Sequence, residues 1–298
     1  MNKGLMSGIA APVVTPYNKD GSVNYKEFEK VNTFVTSNGV HGVFVSGTTG
    51  EFVNLTIEER KQLLISAKKS VVNGAKVMFN TTAMNLKDIS ELCGHAQREG
   101  ADAVSFTTPY YHKYDKSALI DYFKICCEKA GDLPVYLYNM SGMTGNPITA
   151  ELLNEVIKTC PNVTGIKDSS MNFMTILEYQ DILDDPDFEI ITGNDAQVLA
   201  SLQAGASGGL IAISGIFPEL CVKIWDEFQK GNIKEADLAQ RKILKIRELC
   251  RGVMPVVSHK AILSLRGFDT GLARFPMRNL NEKELNRIKD TVTKLDLL

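Results

Sequence analysis

The sequence predicts a (β/α)8 barrel with a C-terminal helical extension, and three observations predict it. Short β-branched runs alternate with longer helical patterns, which is how repeated βα units read. There are eight such runs, and most are almost continuously apolar, as parallel strands covered on both faces require. After the eighth run the alternation stops and the rest of the chain reads as helix alone. The 298 residues are enough for one barrel with an appendage. An open doubly wound sheet competes, but no GxGxxG turn follows the first strand and eight units suit closure better. The expected division is a barrel over 1–217 and a helical extension packed on it over 218–298.

The strands are expected at Ile9–Val14, Gly42–Ser46, Lys76–Asn80, Ala103–Thr107, Val135–Tyr138, Val163–Lys167, Glu189–Thr192 and Gly208–Ile211. The helices between them carry start and stop signals. Asn24 precedes a stripe of Phe28, Val31 and Val35 that closes at Gly39. Thr56-Ile-Glu-Glu59 is a capping box ahead of Leu63, Leu64, Ala67 and Val71, with Gly74 just past the end. Ile89, Leu92, Cys93 and Ala96 form a third stripe that ends at Gly100, and a helix opening near Thr149 stops before Pro161. The extension reads as helices over Leu220–Lys230, Ile233–Arg251, His259–Leu265 and Glu282–Leu295.

Hydrophobic residues make up 44% of the chain and charged residues 23%, the balance of a soluble globular protein with a large core. The net charge is −2, with both signs scattered through both halves, so the clustered basic face of a nucleic-acid binder is missing. No apolar run reaches the length of a membrane span, and the N-terminus lacks the apolar core of a leader, so a cytoplasmic protein is expected. The six cysteines have neither CxxC pairs nor disulfide-scaffold spacing and read as buried thiols, with Cys93, Cys126 and Cys160 on apolar helix faces. The four histidines show no HxH or HExxH spacing, so no metal site is expected.

In such barrels the chemistry sits at the carboxyl ends of the strands. Lys167 ends the sixth strand, where a low-dielectric mouth favours the neutral, nucleophilic amine. A rim lysine in a surface ion pair would look the same in sequence. After the second strand, Gly47, Thr48, Thr49 and Gly50 combine backbone freedom with hydroxyl and N–H donors suited to a carboxylate, although a self-bonded tight turn reads identically. Tyr138 closes the fifth strand and Tyr111 lies in the loop after the fourth; a phenol can relay protons beside an amine, and can equally be a packing residue.

Four motifs in this order and spacing, GTTGE at 47–51, TPYY at 108–111, YN at 138–139 and GIKDSS at 165–170, resemble the dihydrodipicolinate synthase / N-acetylneuraminate lyase family over essentially the whole chain. The resemblance implies a class I aldolase in which Lys167 forms a Schiff base with pyruvate. It further implies that Thr48 and Thr49 hold the pyruvate carboxylate and that Tyr138 shuttles protons. Tyr111 matches a tyrosine that a neighbouring subunit contributes, completing a relay with Thr48. A homotetramer built as a dimer of dimers, with no metal or organic cofactor, is implied as well.

The chain departs from the synthase pattern in two places. Met143 stands where the synthases carry an arginine for the carboxylate of their aldehyde partner, and a thioether cannot make that bidentate pair. Phe52, Val53 and Ile57 occupy the lysine-feedback positions. An apolar residue at Met143 and a small hydroxyl residue at Thr144 are similar to the sialic acid lyases, but their acidic pair after the seventh strand is half present, as Asp195 followed by Ala196. With Asp195, Ser169 and Thr144 placed for sugar hydroxyls, the expected reaction is cleavage of a 2-keto-3-deoxy sugar acid to pyruvate and an aldehyde. Dihydrodipicolinate synthase, N-acetylneuraminate lyase and a non-catalytic binding protein are the alternatives.

Overall fold

The computed structural model describes residues 4–183, 185–250, 253–295 and 297. Eight parallel strands close into a barrel in sequence order: β1 (Gly8–Pro12), β2 (Gly42–Val45), β3 (Lys76–Asn80), β4 (Ala103–Thr107), β5 (Val135–Asn139), β6 (Val163–Asp168), β7 (Glu189–Thr192) and β8 (Gly208–Leu210). The closing seam pairs Gly8 with Gly208 and Ala10 with Leu210. A Cβ on Gly208 would lie 2.1 Å from the Gly8 carbonyl oxygen, so only glycine lets these two backbones meet.

Between the strands run α1 (Tyr25–Ser37), α2 (Ile57–Ser70), α3 (Leu86–Arg98), α4 (Lys116–Ala130), α5 (Ser141–Thr144), α6 (Ala150–Thr159), α7 (Phe173–Ile182) and α8 (Val198–Gln203), followed by α9 (Pro218–Gln229), α10 (Ile233–Leu249), α11 (Pro255–Leu265) and α12 (Glu282–Lys294). The capping box at Thr56 and Glu59 forms as its residues require. The structure lengthens and shortens some elements relative to the sequence reading. α9 and α11 begin at Pro218 and Pro255, because the fixed φ of proline suits a first helical turn. α5 is a single turn without an apolar stripe, so periodicity does not reveal it. α10 ends at Leu249, and Arg251 lies outside the described residues. Cys160 caps α6 rather than lying on its face; all six cysteines are free and buried. Among the described residues no helix is long and apolar enough to cross a membrane.

Alternation along the strands sorts side chains into two apolar layers. Val43, Val45, Leu137, Ile166 and Ile190 point outward into the core shared with the helices. Phe44, Met78, Tyr136, Tyr138, Ile191 and Leu210 point inward and fill the barrel with Met6 and Ala10. At the amino-terminal end of the barrel, Glu189 accepts from the Met6 N–H, the Ser7 hydroxyl and the Tyr136 hydroxyl, so the lead-in segment seals that end.

The extension is tied back to the barrel through the turn after β2. Glu51, in a left-handed conformation at φ 61°, pairs with Lys260 of α11 at 2.8 Å, with both side chains buried. The Arg274 N–H donates to the second Glu51 carboxylate oxygen, and the Lys260 ammonium and Arg274 guanidinium lie over the Tyr17 ring at 4.0 and 4.4 Å. Burial pulls the Lys260 amine down to about 8 against the opposing pull of Glu51. Removing one member leaves an uncompensated charge inside the protein. Lys260→Met is therefore expected to cost about 3–5 kcal/mol in urea denaturation. The double variant Glu51→Gln/Lys260→Met should recover most of that loss, and an additive double variant would refute the coupling.

Candidate active site

The inward parity of β5 and β6 brings the site together. Register pairs Tyr138 with Lys167, and Lys167 with Ile191 on the other side. Ile166, one residue earlier, faces the outer core, so Lys167 must face the barrel axis. Its side chain is 5% exposed. The amine sits 4.0 Å above the centre of the Tyr138 ring and 4.9 Å from that of Phe44, inside an aromatic corner. No carboxylate forms an ion pair with it among the described residues, so it is no rim lysine.

The turn after β2 supplies the facing wall. Thr48 Oγ1 lies 3.4 Å from the Tyr138 hydroxyl. Thr48 and Thr49 are half-buried at the mouth, and Gly47 lies flat on Phe44, where a Cβ would come within 2.4 Å of the ring. Thr15 donates to the Gly50 carbonyl and Asn80 to that of Ser46, so the turn is held from both flanks.

Below the amine, Gly193 after β7 has no room for a side chain. A Cβ there would meet Ser169 Oγ at 1.9 Å and Lys167 Cε at 3.0 Å. Ser169 thus borders the lysine stem, as its position in sequence suggests. Asn139 and Asp168 lock the two strand ends together. Asn139 donates to Asp168 at 2.7 Å and receives the Ile148 N–H, while Asp168 also accepts from the Ser170 hydroxyl. Burial raises the Asp168 carboxyl above the usual range, and the Ser170 and Asn139 donors partly offset it.

Other candidates lie further out. The Thr144 hydroxyl donates to the Asn146 carbonyl and receives the Thr108 hydroxyl at 2.8 Å, so it is engaged by its own loop and by the one after β4. Met143 is 63% exposed at the rim. Tyr111 is 89% exposed in a left-handed conformation at φ 79° and rests against His112; no hydrogen bond joins it to Thr48 or Tyr138 among the described residues. Asp195 accepts from the Ile213 N–H at 2.9 Å and stands in a crevice of about 270 Å³ lined also by Met171, Arg247 and His259. Burial raises its carboxyl, while that N–H and the charges of Arg247 and Lys167 pull the other way. Three further residues carry no local signal in the sequence: Phe44 reaches the amine, and Arg247 and His259 reach the crevice around Asp195, only through the fold. No group of three or more potential metal ligands occurs among the described residues.

The profile of the dihydrodipicolinate synthetase family matches residues 5–295. This chain belongs to that family. A DapA-like lyase of Pyrococcus horikoshii is 31% identical over 97% of this chain and 100% of its own. Among solved structures, YagE, a prophage protein from E. coli K12 in complex with pyruvate, superposes with a TM-score of 0.94 at 28% identity, covering 99% of this chain and 100% of its own. A sialic acid aldolase from Ruminococcus gnavus, carrying a mutation of its catalytic lysine, superposes at 0.92 and 26% identity over 98% and 96%. The resemblance read from four short motifs therefore extends along the whole family member.

His259 provides a pH handle on the crevice wall. Burial pulls its imidazole from the ordinary 6.5 down to about 4, and its Nδ1 has no hydrogen-bond partner. The unfolded chain takes up the proton below about pH 6.5 while the folded chain resists it. The stability carried by the neutral ring is full above that pH and is lost as pH falls towards 4. Relative to His259→Gln, the unmodified protein should lose about 3 kcal/mol of unfolding free energy between pH 7 and pH 4. Parallel stability curves for the two proteins would contradict this account.

Proposed function

We propose that this lyase of the class I aldolase type binds pyruvate as a Schiff base on Lys167 and cleaves a 2-keto-3-deoxy sugar acid. The observation that carries the reading is the buried Lys167 amine over the Tyr138 ring, whose hydroxyl meets Thr48. The pyruvate complex of YagE and the catalytic lysine of the Ruminococcus enzyme support it from two relatives.

In the cleavage direction the Lys167 nitrogen bonds to the C2 carbonyl carbon, and loss of water leaves an iminium. Thr48 and Thr49 hold the neighbouring carboxylate, which keeps the C3–C4 bond aligned with the electron sink. The Tyr138 phenol gives its proton to the departing water as the iminium forms, and its phenolate then takes the proton of the C4 hydroxyl as the C3–C4 electron pair moves into the iminium, giving an enamine and an aldehyde. The same phenol returns that proton to C3, and water adds to the iminium so formed, giving its own proton to the phenolate, then releases pyruvate and restores the amine. Tyr111 of a neighbouring subunit completes the proton relay, consistent with its projecting position, within a homotetramer built as a dimer of dimers in the cytoplasm. The extension over 218–298 packs on the barrel over 1–217 and walls the aldehyde side. Met143 at the rim leaves no guanidinium for a semialdehyde carboxylate there, and Asp195 and Ser169 are the groups assigned to the sugar hydroxyls.

Borohydride reduction with pyruvate should add a stable mass to the peptide carrying Lys167 and to no other lysine. Lys167→Ala should abolish both trapping and pyruvate release while staying folded; label on another lysine would end the assignment. Tyr138→Phe removes only the proton carrier and should lower kcat about 10²-fold or more, with a smaller change in KM. Pyruvate-dependent condensation with aspartate semialdehyde, run beside a pyruvate-release screen of sugar acids, separates lyase from synthase. Turnover with the semialdehyde on the order of 10 per second would favour the synthase.

A further inference from the structure

Two of the buried cysteines meet at the amino-terminal end of the barrel. Cys127 lies in the last turn of α4, and Cys160 caps α6 just before β6 begins, at the opposite end of that strand from Lys167. Their backbones are strapped together. The Asn162 side-chain amide donates to the carbonyls of Cys127 and Gly131, both at 2.9 Å, and the Asn162 carbonyl receives the Val135 N–H at 2.8 Å. Both cysteines border a surface groove of about 640 Å³, with Lys124, Glu128 and Asp132 along it.

The two thiols share a hydrogen bond in which Cys127 donates to the Cys160 sulfur. That bond pulls the Cys160 thiol down to about 7; Thr159, whose Oγ1 is 3.7 Å from the sulfur, and the Lys124 charge assist, against burial and the Glu128 charge. The same bond, together with burial, pushes the Cys127 thiol far up. One sulfur is thus prepared as a nucleophile and its neighbour keeps its proton. Cys93, Cys126, Cys221 and Cys250 differ, because burial holds all four thiols above the usual range.

We propose that Cys127 and Cys160 form an oxidisable dithiol site, which hydrogen peroxide or another small hydroperoxide closes into a disulfide stapling α4 to the end of α6. The Cys160 thiolate attacks one peroxide oxygen, the O–O bond breaks, hydroxide leaves, and the sulfur is oxidised to a sulfenic acid. That hydroxide takes the Cys127 proton and becomes water. The Cys127 sulfur then attacks the Cys160 sulfur, the S–O bond breaks, and a second hydroxide departs. With the thiols only 4% and 2% exposed and reached from the groove alone, the site suits a small oxidant over a bulky one. The closed loop contains β5, the strand that carries Tyr138, so the staple stabilises that part of the barrel. None of this involves the Lys167 amine, and either reading can fail while the other stands.

The reduced full-length protein is treated at pH 7 with a small excess of hydrogen peroxide, then unfolded and alkylated. Four of its six cysteines should take the alkyl group, and all six should do so after dithiothreitol. Peptide mapping should join the segments carrying Cys127 and Cys160. Cys126→Ala should still form the cross-link, whereas Cys127→Ala should leave a Cys160 sulfenic acid that dimedone captures. Cys127→Ala also removes the donor, so the midpoint of the pH–rate curve for Cys160 should rise from about 7 towards about 8.5. At pH 7 its oxidation should slow about threefold, because the lost thiolate outweighs the gained nucleophilicity. The oxidised protein should unfold at a higher urea concentration than the reduced one. Six alkylatable cysteines after peroxide, a bond between any other pair or between chains, or an oxidised protein no more resistant to urea would each overturn the proposal.

Discussion

Two neighbouring strands, β5 and β6, carry residues of the same parity towards the barrel axis, and the rest of the site is arranged around that constraint. A strand offers each side chain only two directions. Once Leu137 and Ile166 bury outward against the helices, Tyr138 and Lys167 have no choice but to turn inward at adjoining register positions. The amine then meets the face of the phenol ring, and the turn after β2 meets its hydroxyl. A slip of one residue in either strand would turn that strand's group into the helical layer. The glycine pair at the β1–β8 seam matters for the same reason, since it lets the ring of strands close without shifting their register.

Rigidity around this pair comes from polar contacts that do no chemistry themselves. Asn139 and Asp168 join the ends of β5 and β6, so the Tyr138 and Lys167 side chains spring from one stiff edge. Glu51 ends the turn that carries Thr48 and Thr49, and it is held by Lys260 and Arg274 from the extension. The helical tail is thereby mechanically part of the site, although its residues are far from the motifs in sequence. Preorganisation of this kind is what lets hydroxyls and N–H groups act on a carboxylate without rearranging.

Much of this was legible in the residues. Eight alternating units, the capping box at Thr56 and the strand-terminal lysine all report local physics, and the structure carries each of them. Thr48, Tyr138 and Lys167 could be brought together because strand ends share one face of a barrel. Arg247 and His259 could not, because on their own helices they are indistinguishable from solvated or packed residues. Only the contact of Gln240 with the turn after β7 decides where Arg247 points. Thr144 illustrates the converse: the sequence shows a hydroxyl next to a motif, whereas its partners, Thr108 from the loop after β4 and Asn146 from its own, appear only in the structure. Sequence periodicity starts α9 and α11 later than Pro218 and Pro255, because a proline reads first as a breaker and only secondarily as a first-turn residue.

The seal that Glu189, Met6, Ser7 and Tyr136 make at the amino-terminal end leaves the barrel as a cup with a single opening. In the proposed reaction a substrate bonded to Lys167 would have its keto-acid half at the bottom and its polyol half towards the rim. Traffic through one doorway would then enforce an order: after bond scission the aldehyde departs first, and the three-carbon remnant stays tethered until water reaches it. Run in reverse, the same geometry would make the keto acid the obligatory first arrival.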